Sequence, residues 1–166
     1  MALKFTRQFD QMDCGPACIR MVASAYGKEY PLSYLRTLAH LTREGVSVAG
    51  IRDALRQIGM ESATFEMTLD QLERRCPKPA ILHWDQNHFV VLYKVRKGKR
   101  FYVADPGKGL VSYSRDEFRN HWVSTRSGGE DKGIAMLLEP TPARFMRFVL
   151  MESPIPIWSP AGGPDR

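Results

Sequence analysis

The chain has 166 residues, which suffices for one domain with a sizeable core but not for two ordinary domains. Its 43% hydrophobic and 25% charged residues describe a globular protein, and no segment approaches the ~18 uninterrupted apolar residues of a membrane helix. The net charge of +6 is scattered along the chain, so we expect no nucleic-acid partner.

The first half of the chain predicts four helices. Four segments combine helical spacing of apolar residues with start and stop signals: 16–27, 31–38, 47–59 and 68–77. Pro16 suits a first helical turn because its missing N–H is not needed there, so Cys14 lies at the N-terminus of the first helix. Ser47 is the predicted N-cap of the third helix, and Thr68 opens a capping box before the fourth.

The second half changes to short segments rich in β-branched and aromatic residues, which predict antiparallel strands. The predicted strands are 79–84, 88–95, 101–105, 110–113 and 134–139, with a short capped helix at 114–121 and a flexible loop at 124–133. Helices first and strands afterwards favour an α+β fold over alternating βαβ units. We expect the domain to span residues 1–140 and the Pro- and Gly-rich tail 141–166 to be loosely ordered.

The segment QMDCGPAC at 11–18 contains two of the three cysteines. A structural zinc site would need a second close pair of ligands, and the remaining cysteine and the four histidines provide none on one element. A disulfide between Cys14 and Cys18 within one helical turn would be strained. We therefore expect no metal and no cofactor, with Cys18 packed on the apolar face of its helix.

The remaining interpretation makes Cys14 a nucleophile. A thiolate at a helix N-terminus is stabilised by the free N–H groups and the helix dipole, and the same N–H groups can stabilise an oxyanion. A hairpin centred near residues 97–98 places His88 opposite about residue 107, with Asp105 as a diagonal neighbour about 5–8 Å away between Cβ atoms. Cys14, His88 and Asp105 would then supply a nucleophile, a base and an orienting carboxylate.

Other residues compete for these roles. His83 is the second candidate base, although its position inside a predicted strand beside Trp84 is more typical of a core or edge residue. Asp13 is as compatible with an N-cap as with a catalytic carboxylate. An amide for the oxyanion can come from Gln8 or from Gln11, and their positions do not separate them. The remaining candidates lie near helix ends or in a turn, where capping or solvation is expected: His40, His121 and Asp85.

Several separated motifs agree in order and spacing: DCGPA around Cys14, Gln8 six positions earlier, HFVVL at 88–92 and ADP at 104–106. Together they resemble the bacteriocin-processing cysteine peptidase domain, a papain-like domain usually found at the cytosolic N-terminus of peptidase-containing ABC exporters. The resemblance covers about residues 4–140.

The resemblance implies a role for each candidate: Cys14 as nucleophile, His88 as general base and acid, Asp105 as orienting residue, and Gln8 rather than Gln11 as oxyanion amide. It implies a cysteine endopeptidase that cleaves the leader peptides of bacteriocin-like or pheromone precursors after a Gly-Gly or Gly-Ala pair, through an acyl-enzyme. Two alternatives remain: an acyltransferase with the same triad, and a non-catalytic leader-binding module, which the presence of Cys14 disfavours.

The resemblance also implies partners and a location. Family members usually continue into the transmembrane and ATP-binding domains of an exporter, which places the peptidase at the cytosolic face of the bacterial inner membrane. The 166 residues contain neither region, so we expect proteolysis of this chain and leave export and ATP use open. Apolar residues around Met60, Phe65 and Met67 are candidates for a leader-docking groove, although core packing is the expected role of each.

Overall fold

One antiparallel sheet with helices on both faces forms the described part of the chain, residues 3–96, 100–139 and 155–158 of the computed structural model. The helices are α1 (Cys14–Ala25), which follows a single 3-10 turn at Gln11–Asp13, α2 (Leu32–Leu38), α3 (Val48–Gln57), α4 (Leu69–Arg75) and α5 (Arg115–Trp122). The strands are β1 (Glu61–Met67), β2 (Ala80–Trp84), β3 (His88–Arg96), β4 (Arg100–Asp105), β5 (Gly109–Tyr113), β6 (Val123–Ser127), β7 (Glu130–Glu139) and β8 (Ile155–Trp158). Their order is β5-β4-β3-β2-β7-β1-β8, with β6 paired to β7 outside this path. No helix within the described ranges is long and apolar enough to cross a membrane.

The sheet separates two apolar clusters. Helices α1, α2 and α3 pack on one face, and α4 and α5 pack on the other. Alternate residues of β3 show the division. Phe89 and Val91 belong to the cluster beside α1, α2 and α3. Val90 and Leu92 belong to the cluster beside α4 and α5. Strand β3 is therefore covered on both faces, which explains its unbroken apolar run.

The helix ends agree with the sequence signals. The Ser47 side chain accepts a hydrogen bond from the Gly50 N–H, and capping boxes are formed at Thr68 and at Ser114. Gly27, just after α1, has a φ of +79°, which glycine adopts at little cost. Local hydrogen bonding thus sets the limits of these helices, and it can be recognised from the sequence.

Three strands lie where the sequence predicts none. Strand β1 lies inside the sheet between β7 and β8, and it buries Ser62 and Thr64, whose polar character hides the strand pattern. The segment 124–133, expected to be a loop, forms most of β6, a turn at Gly128 and Gly129 with φ of +62° and +81°, and the start of β7. Strand β8 falls within the predicted tail 141–166 and pairs with β1, and the rest of that tail lies outside the described residues.

The apolar residues considered for a docking groove belong to the core. Met60, Phe65 and Met67 are at most 2% exposed. Met60 lies in the cluster beside α1, and the other two lie in the cluster beside α4 and α5. Core packing is therefore the correct interpretation of all three.

Gly50, in the first turn of α3, packs against the end of α2. A Cβ at this position would lie 2.3 Å from the carbonyl oxygen of Ala39, a contact that requires the backbone to move. We expect Gly50→Ala to lower the free energy of unfolding by about 1–3 kcal/mol, although alanine is ordinarily the better helix former. Urea denaturation measures the change. Gln57→Ala, on the exposed side of the same helix, is the control and should alter stability by less than about 0.5 kcal/mol. Unchanged or increased stability of Gly50→Ala would contradict the packing.

Candidate active site

Cys14 is the first residue of α1, and the packing of that helix on the sheet fixes its position. Cys18, one turn further along, is fully buried. Both cysteines belong to the apolar cluster that contains Phe89 of β3 and Ala104 of β4. The amino end of α1 therefore packs against the ends of β3 and β4, and this packing holds Cys14 in position.

His88 and Asp105 lie at the same end of the β3–β4 pair. Val91 pairs with Ala104, and continuing this register places His88 opposite Gly107, two residues beyond Asp105, as the sequence predicts. His88 Nε2 and Asp105 Oδ1 are 2.7 Å apart, and the two side chains are 20% and 3% exposed. The same Asp105 oxygen accepts a hydrogen bond from the Gly107 N–H at 2.8 Å. The carboxylate is thereby held in place and fixes the orientation of the imidazole ring.

The imidazole of His88 lies between a thiol and a carboxylate. Burial lowers the pKa of His88, but hydrogen bonds to Asp105 and Cys14, together with the charges of both, raise it to about 9. Burial likewise raises the pKa of Asp105, while its hydrogen bonds with His88 and Gly107 bring it below its usual value. These contacts favour the imidazolium form of His88 beside an ionised carboxylate.

Gln8 brings a side-chain amide to the same region. Its backbone N–H donates to the Pro106 carbonyl at 3.0 Å, so this segment runs beside the end of β4. The Gln8 Oε1 atom is buried and has no hydrogen-bond partner among the described residues. A Cβ at Gly107 would lie 3.6 Å from Gln8 Oε1 and 3.4 Å from Asp105 Oδ1, which shows how closely the three residues approach. Gln11, in contrast, is exposed in the 3-10 turn before α1.

An open polar cleft lies over these side chains. Gln8, His88 and Asp105 line it, and its walls carry both signs of charge: Arg43, Glu44, Asp85 and Lys108. Such a surface offers hydrogen-bond donors and acceptors along its length. It is therefore suited to an extended polar chain such as a peptide backbone.

The other histidines have different surroundings. His83 pairs in register with Phe89 rather than with His88, and its Nδ1 atom is buried with no hydrogen-bond partner among the described residues. Burial lowers the pKa of His83, which favours the neutral ring. The remaining two histidines pair with other carboxylates: His121 Nδ1 with Asp85 Oδ1 at 2.8 Å, and His40 Nε2 with Asp53 Oδ2 at 3.7 Å. Of the four histidines, His88 is the one that contacts both a thiol and a buried carboxylate.

Asp13 occupies the N-cap position of α1, as one of the two interpretations from the sequence expects, but its side chain makes no capping hydrogen bond. Its carboxylate is 1% exposed and forms a two-point pair with Arg36 of α2, in which Nε–Oδ1 and Nη2–Oδ2 are both 2.8 Å. Sequence reasoning missed Arg36, because nothing in a single sequence links an arginine on α2 to a carboxylate 23 residues earlier.

The three cysteines are all free thiols, and two of them are unsuited to chemistry. Burial, with the charges of Cys14 and Asp105, raises the pKa of Cys18 well above its usual value. Burial also raises the pKa of Cys76 to about 12. The part of the chain that the structure describes contains no group of three or more His, Cys, Asp or Glu side chains that could hold a metal ion.

Comparison with known proteins identifies the family of the chain. The model of the Peptidase C39 family matches residues 2–126. The chain is 37% identical over 116 residues to the colicin V secretion/processing ATP-binding protein CvaB of Escherichia coli. It is 35% identical over 125 residues to the lactococcin-G-processing and transport ATP-binding protein LagD of Lactococcus lactis subsp. lactis. These alignments cover 70% and 72% of this chain but 16% and 18% of the relatives, so the chain spans less than a fifth of their length.

Solved structures share the fold. A double glycine motif protease from an AMS/PCAT transporter, solved in complex with the leader peptide, superposes with a TM-score of 0.76 at 30% identity, covering 84% of this chain and 93% of that chain. The peptidase domain of Streptococcus ComA superposes with a TM-score of 0.71 at 26% identity, covering 84% of this chain and 100% of that chain. The predicted α+β, papain-like fold is confirmed.

Iodoacetamide at pH 7 is expected to label Cys14 at least about tenfold faster than Cys18 or Cys76, because only Cys14 combines a helix N-terminus with a histidine partner. Peptide mapping by mass spectrometry measures the three rates. His88→Ala should slow the labelling of Cys14, and urea-unfolded protein should lose the preference. Faster reaction of Cys18 would show that the reactive face of α1 is assigned wrongly.

Proposed function

The chain belongs to the Peptidase C39 family and is a cysteine peptidase, and from this premise we propose that it removes double-glycine leader peptides from precursors. The observation that carries the proposal is the His88 ring, which contacts both the Cys14 thiol and the Asp105 carboxylate. A thiol and a carboxylate that contact the same imidazole are what nucleophilic acyl transfer requires.

Acylation begins from the thiolate–imidazolium pair. The Cys14 sulfur attacks the carbonyl carbon of the residue before the cut, and the carbonyl oxygen becomes an oxyanion. The N–H groups at the start of α1 and the amide of Gln8 stabilise that oxyanion. The His88 imidazolium then donates its proton to the leaving amine, the C–N bond breaks, and the leader remains on Cys14 as a thioester.

Deacylation uses the same groups in the reverse sense. Neutral His88 removes a proton from a water molecule, which attacks the thioester carbonyl and releases the leader as a carboxylic acid. The proton on His88 and the regenerated Cys14 thiolate restore the starting pair. Asp105 stays ionised throughout and keeps the ring in the orientation that serves both steps.

The substrate class rests on the structural relative that is a double glycine motif protease in complex with its leader peptide.

The partner we propose is an exporter with an ATP-binding domain, since the curated relatives are secretion/processing and transport ATP-binding proteins. In that setting the peptidase would meet precursors on the cytosolic side of the membrane. Three unpaired thiols agree with a reducing compartment.

A precursor peptide with a double-glycine leader is expected to be cut directly after the glycine pair. Cys14→Ala and His88→Ala remove the nucleophile and the base, so each should lower kcat/KM by about 10³-fold or more. His83→Ala is the matched control, because it removes a histidine that packs on Phe89, and it should retain most activity. Chromatography with mass spectrometry gives the rates and the cut. Cleavage by Cys14→Ala at the wild-type rate, or loss of activity in His83→Ala but not in His88→Ala, would refute the assignment of Cys14 and His88.

The alkaline limb of the pH profile should report His88. The imidazolium that protonates the leaving amine is present below its pKa of about 9 and is lost as pH rises through that value. We therefore expect kcat/KM to fall above about pH 9. Asp105→Asn removes a charged contact that raises this pKa, so its limb should lie at lower pH. An identical limb in both proteins would show that another group controls it.

A further inference from the structure

A buried carboxylate that takes no part in the reaction holds the chain between Gln8 and Cys14. Both oxygens of Asp13 are bonded to Arg36, each at 2.8 Å, and the Asp13 side chain is 1% exposed. A two-point bond between guanidinium and carboxylate fixes orientation as well as distance. Helix α2, which carries Arg36, is thereby tied to the residue directly before the nucleophile.

The same carboxylate reaches the segment that carries Gln8. The Phe9 N–H donates to Asp13 Oδ2 at 3.3 Å, and the Gln8 N–H donates to the Pro106 carbonyl at 3.0 Å. Two successive N–H groups therefore anchor this segment. The acceptor of one bond, Pro106, follows Asp105 at the end of β4. The acceptor of the other, Asp13, precedes Cys14 at the start of α1, so the segment that carries Gln8 is bonded to both elements.

Arg36 also contacts the segment directly. Its guanidinium carbon is 5.4 Å from the centroid of the Phe9 ring, within the range of a cation–π contact. The Phe9 side chain is 80% exposed, so burial in the core does not hold it. Arg36 thus restrains Phe9 through its backbone, by way of Asp13, and through its ring.

We propose that the Asp13–Arg36 ion pair is a positioning device for the oxyanion hole, which holds the Gln8 amide in place relative to the Cys14 sulfur. The inference rests on the proposed function, in which Gln8 donates to the oxyanion. Gln8 Oε1 has no hydrogen-bond partner among the described residues, so the backbone anchors carry the task of placing this amide. Because the oxyanion exists only after attack, the pair should affect kcat much more than KM.

The first test is a double-mutant cycle with a double-glycine precursor. Gln8→Ala should lower kcat by about 10²–10³-fold, the range for loss of one oxyanion donor. Arg36→Gln should lower kcat by about 10–100-fold, less than Gln8→Ala because the amide is displaced rather than removed, with KM within about twofold of wild type. The combined variant should be no slower than Gln8→Ala, since Arg36 acts through Gln8. The matched control is Arg115→Gln, which breaks an ion pair with Glu73 away from the site and should leave kcat unchanged.

The second test separates the oxyanion from the nucleophile. A peptide aldehyde that ends in Gly-Gly forms a tetrahedral hemithioacetal whose oxygen takes the position of the oxyanion, whereas alkylation of Cys14 by iodoacetamide places no oxygen there. We expect Arg36→Gln to raise the inhibition constant of the aldehyde by the same factor by which it lowers kcat, and to leave the alkylation rate within about twofold of wild type. If Arg36→Gln does not fold, Asp13→Asn/Arg36→Gln places neutral amides in both positions and should give the same pattern.

The outcomes distinguish this inference from the proposed function. Additive losses in the cycle, an unchanged kcat in a folded pair variant, or alkylation that slows in parallel with kcat would overturn the positioning role. If wild type cleaves no double-glycine precursor but the aldehyde still binds in a manner that depends on Gln8 and Arg36, the substrate assignment fails and the positioning role stands. If aldehyde binding depends on Gln8 but not on Arg36, the positioning role fails.

Discussion

The hydrogen bond between His88 and Asp105 is the interaction on which the rest of the site depends. It forms because β3 and β4 pair antiparallel in a register that brings both residues to one end, with the irregularity of the pair confined to the region of Leu92 and Lys94, away from the site. A shift of one residue in that register would turn one side chain to the opposite face of the sheet. Strand pairing therefore decides the charge on the imidazole, and with it the reactivity of the neighbouring thiol.

Helix α1 brings the thiol of Cys14 to the site, and its two cysteines differ in their surroundings. Cys18 is fully buried in the cluster against the sheet, whereas Cys14 lies at the helix tip beside His88. Packing along α1 therefore holds the Cys14 thiol in place without any contribution from its sulfur atom. The chain before the helix is held differently, by charge: Asp13 and Arg36 connect α2 to the segment that carries Gln8. Apolar burial positions the thiol, and in our proposal a buried ion pair positions the amide.

The features that were predictable are the ones set by local or regularly repeating chemistry. Capping residues determine helix starts within a few positions, and the apolar run after His88 marks β3, a strand that is buried on both faces. The hairpin register followed from the position of its turn, so the pairing of His88 with Asp105 could be inferred before any coordinates. The choice of Gln8 over Gln11 came from family resemblance alone, because residue types and spacing do not separate two glutamines three positions apart.

The features that were missed depend on contacts distant in the sequence. Strand β1 has serine and threonine at buried positions, and it becomes a strand because β7 and β8 pair with it on either side. Residues 124–133, which form most of β6 and the start of β7, are polar, so they lack the alternation that identifies a half-buried strand. The pair of Asp13 with Arg36 requires α2 to fold back on α1, which no local pattern indicates.

Covalent capture of the acyl-enzyme tests the central claim, that Cys14 is the nucleophile activated by His88, most directly. A leader peptide that ends in a Gly-Gly ester makes hydrolysis of the thioester the slow step, so the intermediate should accumulate. After acid quenching, mass spectrometry should locate the leader acyl group on Cys14, and His88→Ala should form that adduct far more slowly. Turnover of the ester without an adduct, or an adduct on Cys18 or Cys76, would contradict the claim.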